Sequence, residues 1–361
     1  MKTAVDALGR GYAAAGIPRL LVVPGPRDQI SQTPYGEVAE LRAPRVGGGY
    51  RLLVEPWRVL DVLERFGPTS LEVSDKSTLL PVTRWARRRD VGSVLLSHER
   101  LDSMISLRTG LTRGVAGTVG VLNALLVRQF DAVVVTSRFA QREFMEAAHA
   151  VGTPLHRVPL GVDLDTVPTP GRMPRAGGPL RLVHFGRLSR EKSPHLAVAA
   201  AVELHRRGVP ARLDVYGDGP YRDELEGLVG RAPVFFHGHV EDKGRLSRLV
   251  AAADISISPC PGETFGLAIL EALAVGTPVV TADTGGGREL LDEMCGDWGP
   301  ATPAGLADAV HRLAARPVTE TRRAARRRAM RFPWSAAVAA MLDIHGRVAR
   351  STSFPGLEQT A

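Results

Sequence analysis

The sequence predicts a two-domain α/β protein with mainly parallel sheets, and three observations carry that prediction. Short apolar runs of β type alternate with longer helical patterns along the whole chain, the signature of repeated strand–helix–strand units. Several of these runs are apolar without alternation, as in strands buried on both faces. One stretch, "DTVPTPGRMPRAGGPL" at residues 165–180, carries four prolines and three glycines, the composition of a linker. At 361 residues the chain also exceeds one domain of ordinary size.

Candidate strands before the break are residues 20–23, 70–73, 94–97 and 132–136. After it come 181–185, 212–216, 234–237, 255–258 and 278–282. The boundaries that follow are 1–165 for the first domain, 166–179 for the linker and 180–333 for the second domain. "PWSAAVAAMLDIHGRVAR" then reads as a helix to about residue 350, and residues 351–361 as a frayed tail.

Hydrophobic residues make up 44% and charged residues 23%, the balance of a soluble protein able to build ordinary cores. Cys260 and Cys295 stand in neither a metal-binding nor a C-x-x-C spacing and read as reduced thiols. The opening "MKTAVDALGR" lacks the continuous apolar core of a signal peptide. The longest apolar run, residues 119–127, is broken by Asn123 and falls short of the roughly 18 to 20 residues of a membrane span. The expectation is a cytoplasmic protein, soluble or peripheral at the inner face of the membrane.

The formal charge of +8 asks for an anionic partner. Arginines cluster at Arg84, Arg87, Arg88 and Arg89, and again from Arg322 to Arg328; each cluster taken alone reads first as a solvated helix face. Aromatic residues are only 5% and none interleave with these arginines, which disfavours nucleic acid, whereas an anionic membrane surface stays compatible. The pattern carries no sign of oligomeric state.

The most informative stretch is "GETFGLAILEALAVGTP", residues 262–278. A strand at 255–258 feeds a loop stopped by Pro259, Pro261 and Gly262. The spacing then predicts a helix over 264–275, closed by Gly276 with Pro278 beyond. Glu263 sits at the helix mouth and Glu271 two turns inside, their backbones about 12 Å apart along the axis. Carboxylates that share one glycosidic bond stand roughly 5 to 9.5 Å apart, so a joint acid–base role does not fit. The spacing suits a long ligand lying across a helix N-terminus. The N–H groups of Phe265, Gly266 and Leu267, beside Thr264, would face a phosphate, with Gly266 allowing close approach. An amphipathic helix alone accounts for Leu267, Leu270 and Leu273 but not for a glutamate at the mouth.

This segment resembles the E-x7-E motif of retaining glycosyltransferases of the GT-B fold, in particular glycosyltransferase family 4. Three further segments are similar to that family's motifs in order and spacing. "HFGRLSREKS" (184–193) resembles the strand-end basic motif, matching Arg187 and Lys192. "DVYGDGPYRDELE" (214–226) resembles the strand and Gly-rich turn, with Gly217 and Gly219. "TADTGGGREL" (281–290) resembles the second Gly-rich phosphate loop. The likeness runs from Ala4 to about Arg350. It implies two Rossmann-like domains facing across a cleft, with the acceptor on the first and the nucleotide sugar on the second. It also implies that Arg187 and Lys192 neutralise the departing diphosphate, Glu263 holds hydroxyls of the transferred sugar, and Glu271 holds the ribose, with no metal cofactor. The chemistry is coherent, because Arg and Lys can stabilise a leaving pyrophosphate and both follow a strand end, where ligands of open α/β sheets bind.

In the first half, polar loops follow strands at "SLEVSDK" (70–76) and "VLLSHERLD" (94–102). By resemblance His98 lies close to the transferred sugar; Glu72, Asp75, Glu99, Arg100 and Asp102 are weaker acceptor-side candidates. The combination of "LEVSD", "SHERLD", "VPLGVDL" and "ETFGLA" is similar to actinobacterial mannosyltransferases of phosphatidylinositol mannosides. That likeness implies GDP-mannose as donor and an anionic, lipid-anchored acceptor. The loop "HGHVEDK" (237–243) does not separate guanine from uracil, so a UDP-sugar donor stays open, as does a non-catalytic nucleotide-sugar-binding protein.

Two other matches lead elsewhere. "DLD" (163–165) has the form of a metal-binding D-x-D, but it follows "VPLG" just before the linker, where a structural role fits better. "GDGPY" begins like a dinucleotide fingerprint, yet Arg222 occupies the third glycine position, which disfavours a nicotinamide cofactor. Members of the family begin with a strand and a Gly-Gly loop before the helix on which this chain opens. The resemblance therefore implies about 20 upstream residues in the working enzyme and, without that strand, unpaired neighbours in a doubly wound sheet.

Overall fold

A computed structural model describes residues 2–46, 50–76, 78–100, 115–164 and 178–350. Asp102, Asp165, the tail 351–361 and all but the last two residues of the expected linker lie outside the described residues.

The first half opens with helix α1 (Lys2–Ala14) and a three-stranded sheet of β1 (Leu20–Gly25), β2 (Gln29–Thr33) and β3 (Gly36–Arg42), ordered β1-β3-β2. A ribbon of β4 (Arg45–Val46) and β5 (Tyr50–Arg51) leads to α2 (Pro56–Phe66). A second sheet follows, all parallel and in sequence order: β6 (Ser70–Val73), β7 (Gly92–Ser97), β8 (Ala132–Val135) and β9 (Leu155–Arg157). Its connecting helices are α3 (Leu80–Arg88), α4 (Val115–Val127) and α5 (Arg138–Val151).

β7 and β8 are buried along their whole length, which is why they read as unbroken apolar runs. β1 differs: Leu20 to Val23 are only partly buried, although the run is just as apolar. Among the described residues β1 pairs only with β3, and β6 only with β7. Each therefore ends its own sheet, and the strands of the first half form two sheets with separate hydrogen-bond ladders. They still share a core, in which Leu71 and Val73 of β6 meet Leu41 of β3 and Leu63 of α2.

The second half is one parallel sheet of β10 (Leu180–Phe185), β11 (Ala211–Tyr216), β12 (Val234–Phe236), β13 (Ile255–Ile257), β14 (Val279–Ala282) and β15 (Gly296–Gly299). Its order is β12-β11-β10-β13-β14-β15, so the winding reverses between β10 and β13, which pair directly with Leu182 opposite Ile255. The connecting helices are α6 (Pro194–Arg206), α7 (Arg222–Gly227), α8 (Lys243–Ala251), α9 (Leu267–Ala274) and α10 (Pro303–Ala314). β15, "GDWG", escapes a search for apolar runs. It is a strand because β14 offers it a ladder, and a side chain at Gly296 would come within 2.5 Å of the Val279 carbonyl.

Two closing helices tie the halves together. α11 (Val318–Ala329) packs on the second domain, whereas α12 (Trp334–Val348) returns to the first. There Val338, Met341 and Ile344 join Val94, Val134 and Leu8 in one core. The crossing is pinned where the Val162 N–H donates to the Phe332 carbonyl at 2.9 Å and Val162 bridges to Pro333.

Three arginines of α11 correct the solvated-face reading, while Arg323 and Arg327 are exposed in keeping with it. Arg322, only 6% exposed, donates to the carbonyls of Ala253 at 2.8 Å and Ala251 at 2.5 Å. Arg326 reaches the carbonyls of Ala274 and Leu164, and Arg328 those of Leu290 and Glu289. Guanidinium groups here satisfy main-chain oxygens at element ends that would otherwise be stranded. Replacing Arg322 with alanine should cost about 2 kcal/mol, because it orphans two carbonyls, and lower the melting temperature by roughly 4–8 °C. Thermal unfolding of Arg322→Ala checks this; an unchanged midpoint would reduce the tethers to incidental contacts.

Candidate active site

The reversal of strand order explains how Lys192 and Glu263 meet. β10 runs out into "GRLSREK" and its neighbour β13 into "SPCPGE", so two loops far apart in sequence leave the sheet side by side. His184, near the end of β10, bridges the pair of strands: its Nδ1–H donates to the Ile257 carbonyl at 2.8 Å, and burial keeps the ring neutral. Lys192 ends a short 3-10 turn, and its Nζ lies 2.9 Å from Oε2 of Glu263. Burial alone would raise the Glu263 pKa, but Lys192 and the N–H groups of Phe265 and Thr264 outweigh it and hold the carboxyl below its ordinary range. The Glu263 charge in turn holds the Lys192 ammonium above the usual lysine value. Both groups are thus ionised at any working pH, and the lysine side chain, 48% exposed, stays accessible to an incoming anion. Arg187 is exposed on the same loop, two residues past the end of β10.

The helix at this site starts later than its spacing suggests. α9 begins at Leu267, and Thr264, Phe265 and Gly266 form the bend before it. Gly266 caps the helix at φ +97°, a left-handed conformation that a residue with a side chain rarely adopts. The bend sends the Phe265 ring into the core against Phe332, with centroids 6.3 Å apart. Its N–H faces the Glu263 carboxylate, which corrects the expectation of a bare phosphate donor at that position. Gly266 and Leu267 head the helix. Glu271 stands one turn inside it, where burial raises its carboxyl pKa to about 6 against the pull of the Lys243 ammonium. Lys243 opens α8 at the end of the "HGHVEDK" loop; nothing in the sequence singled it out.

Gly217 and Gly219 serve a backbone purpose. A side chain on Gly217 would fall 1.8 Å from the Gly186 carbonyl, and one on Gly219 2.2 Å from that of Leu188. Without side chains at these two positions, the β11 turn lies against the loop that carries Arg187 and Lys192. Gly286 does the same for the second Gly-rich loop, since a side chain there would meet the Thr264 carbonyl at 2.1 Å.

The first domain reaches this point directly. The Thr264 hydroxyl donates to the His98 carbonyl at 2.5 Å, and the Thr136 hydroxyl to the Thr264 carbonyl at 3.3 Å. His98, just past β7, therefore stands beside the bend that carries Glu263. Burial lowers its imidazole pKa to about 4, with Glu99 opposing and Lys76 assisting, so the ring is neutral at physiological pH and acts as a hydrogen-bonding group. Lys76, also unforeseen, links the Glu99 carbonyl to the Glu143 carboxylate, 3.5 Å away.

The weaker acceptor-side candidates divide. Arg100 donates to the Phe139 carbonyl at 2.8 Å and covers its ring, a strut at the start of α5. Asp75 caps the Thr78 N–H at 2.7 Å. Glu72 accepts from the Tyr12 hydroxyl at 3.0 Å and lies 3.4 Å from His345 Nε2, so it serves the packing of α1 and α12 on the edge strand β6. Among the described residues no group of three or more His, Cys, Asp or Glu side chains is placed to hold a metal ion. Both cysteines are buried thiols, each pushed up to about 12 by burial.

Two family descriptions divide the chain between them: residues 1–161 match a glycosyl transferase 4-like domain, and residues 179–316 match glycosyl transferases group 1. Over 370 aligned residues the chain is 38% identical to the GDP-mannose-dependent alpha-(1-6)-phosphatidylinositol dimannoside mannosyltransferase of Mycobacterium tuberculosis (strain ATCC 25177 / H37Ra), across 100% of this chain and 96% of that protein. The chain is a group 1 glycosyltransferase. It is also 30% identical to the phosphatidyl-myo-inositol mannosyltransferase of Mycobacterium tuberculosis (strain CDC 1551 / Oshkosh), over 80% of each chain. Among solved structures, sucrose-phosphate synthase from Thermosynechococcus elongatus superposes with a TM-score of 0.75 at 22% identity, covering 95% of this chain and 92% of that one. A trehalose-6-phosphate synthase gives 0.72 at 12% identity, covering 96% and 95%. The glycosyltransferase has the GT-B fold, two Rossmann-like domains about an interdomain site.

Lys192→Ala and Glu263→Ala should each lower turnover of this glycosyltransferase at least about 100-fold, the usual cost of a lost transition-state stabiliser. Steady-state rates check this, and near-normal turnover in either variant would detach the pair from the chemistry. The raised pKa of Glu271 gives a second expectation. The fold favours its neutral form, so that contribution to stability is present at low pH and lost as pH rises through about 6, whereas the ribose role that the resemblance implies, accepting from two hydroxyls at once, is best served by the ionised form. Affinity for GDP or UDP, whichever binds, should therefore weaken about tenfold from roughly pH 7.5 to pH 5, beyond the change shown by Glu271→Gln. Parallel pH profiles for the two proteins by calorimetry would sink that role.

Proposed function

We propose that this glycosyltransferase moves mannose from GDP-mannose to a phosphatidylinositol mannoside, with retention at the anomeric carbon and without a metal cofactor. The observation that carries the chemical reading is the ionised Lys192–Glu263 pair, held at the mouth of α9 and joined through Thr264 to His98 of the other domain. A cation for the departing phosphate and a carboxylate for sugar hydroxyls then lie at one junction between the domains. The donor and acceptor are argued from the full-length relative, whose name states GDP-mannose dependence and a phosphatidylinositol dimannoside substrate.

In this reading the C1–O bond of the donor breaks with its electron pair passing to the β-phosphate. Lys192 and Arg187 offset that charge, together with the N–H groups and dipole at the start of α9. The acceptor hydroxyl attacks C1 on the same face and its proton passes to a phosphate oxygen. Glu263 and neutral His98 hold sugar hydroxyls, and Glu271 holds the ribose. Attachment at the inner membrane face is part of the proposal. It is supported by the charge of +8 and by exposed Ile30, Val46, Val54 and Trp57, which share the segment 27–57 with exposed Arg27, Arg42 and Arg45. No helix among the described residues is long and apolar enough to cross a membrane.

The test is a transfer assay with GDP-mannose, UDP-glucose and UDP-glucuronate against phosphatidylinositol mannosides in anionic vesicles, with and without EDTA. The expected result is an α-linked mannolipid, formed from GDP-mannose alone and at an unchanged rate in EDTA. Transfer from a UDP-sugar, a β-linked product or loss of activity in EDTA would each overturn the corresponding part.

A further inference from the structure

We infer that Glu289 is an interdomain clasp: a positioning residue of the phosphate-loop domain whose carboxylate caps helix α5 of the other domain and holds the active site assembled. Oε2 of Glu289 accepts from the Arg138 N–H at 3.0 Å, and Oε1 from the Phe139 N–H at 2.7 Å. These are the first two amides of α5, two of the four that a helix cannot satisfy by itself. A third, that of Ala140, donates to the helix's own cap, Ser137 Oγ, at 3.0 Å. The first turn of α5 is therefore completed by a carboxylate from the opposite domain, at the end where the helix dipole favours negative charge.

The placement links this contact to catalysis. Glu289 lies in the 3-10 turn Gly286–Leu290 that ends the second Gly-rich loop, and Arg328 anchors that turn through the carbonyls of Glu289 and Leu290. At the other end of the contact, Ser137 follows Thr136, which bonds to the Thr264 carbonyl. Gly286 packs so close to both that an added side chain would lie 2.7 Å from Ser137 Oγ and 2.1 Å from the Thr264 carbonyl. The Gly-rich loop, the Glu263–Thr264 bend and the start of α5 are thus one contact region, and Glu289 is its charged contribution. The chain crosses between domains elsewhere, near Val162 and Phe332, so this contact lies apart from the covalent connections.

The inference rests on the chain being a glycosyltransferase that works between its domains, and not on the identity of donor or acceptor. Its test is the interdomain distance in Glu289→Ala and Glu289→Gln, from spin labels on Met145→Cys in α5 and Leu228→Cys after α7. Both positions are exposed, while Cys260 and Cys295 are buried and shielded from labelling. Arg138→Pro supplies the reciprocal change. Proline is well tolerated at a first helical position and removes one N–H donor, and Ser137 before it is already extended at φ −150° and ψ 168°. The expected result is a distance distribution moved to longer values in all three variants, most in Glu289→Ala. GDP and UDP affinity should stay within about twofold of the parent, and turnover of GDP-mannose should fall at least about tenfold, a kcat effect without a binding effect. An unchanged distance distribution overturns the clasp, and so does a tenfold loss of nucleotide affinity at unchanged distance, which would make Glu289 a prop for its own turn. If the parent turns over no GDP-mannose, the donor assignment fails while the distance measurement still decides the clasp.

Discussion

The site depends on one topological constraint: the reversal of winding between β10 and β13. In a parallel sheet every strand delivers its following loop to the same edge, and only at a reversal do neighbouring loops diverge to opposite faces and leave room between them. Here the two strands at the reversal are the ones followed by Lys192 and by Glu263. His184 spans the same seam, and Gly217 and Gly219 remove the side chains that would wedge the adjoining loop away from it. The ion pair is a consequence of strand order before it is a feature of the loops.

Thr264 carries the constraint across to the other domain. Its hydroxyl and carbonyl engage His98 and Thr136, so a bend in the second domain has main-chain and side-chain partners in the first. That bend exists because Gly266 turns left-handed and delays the helix by three residues relative to its apolar spacing. A helix begun at Thr264 would bury these groups in its own first turn. The left-handed turn at one glycine and the contact between domains are therefore parts of the same arrangement.

The sequence was most legible where burial and backbone agree. β7, β8, β10, β13 and β14 are apolar because both faces are covered, and their positions follow from composition to within a residue or two. β15 and β3 were not legible: "GDWG" and "GEVAELR" are strands only because a neighbour offers them a ladder. The same limit applies to side chains. The motif containing Glu289 was visible, but no local pattern says that its carboxylate ends at a helix some 150 residues earlier in the chain. Lys243 and Lys76 are likewise ordinary polar loop residues until the fold sets them beside Glu271 and Glu99. Arg322, Arg326 and Arg328 misled for a related reason, since a guanidinium that satisfies carbonyls looks in sequence like one that faces water, as Arg323 and Arg327 do.

Helix α12 has a bearing on how such enzymes can be recombined. It belongs to the second half by position and to the first half by packing, against β7, β8 and α1. The second domain is in effect an insert, entered after Leu164 and left near Phe332, inside a scaffold closed by its own C-terminal helix. A chimera cut once, at the Pro- and Gly-rich segment, would carry a foreign helix onto the first domain and mismatch that core. Two cuts, exchanging the stretch between the crossings, would keep the core of β7, β8 and α12 native and confine the mismatch to the interdomain contacts, polar around Thr264 and apolar at Ala4, Leu160 and Val162.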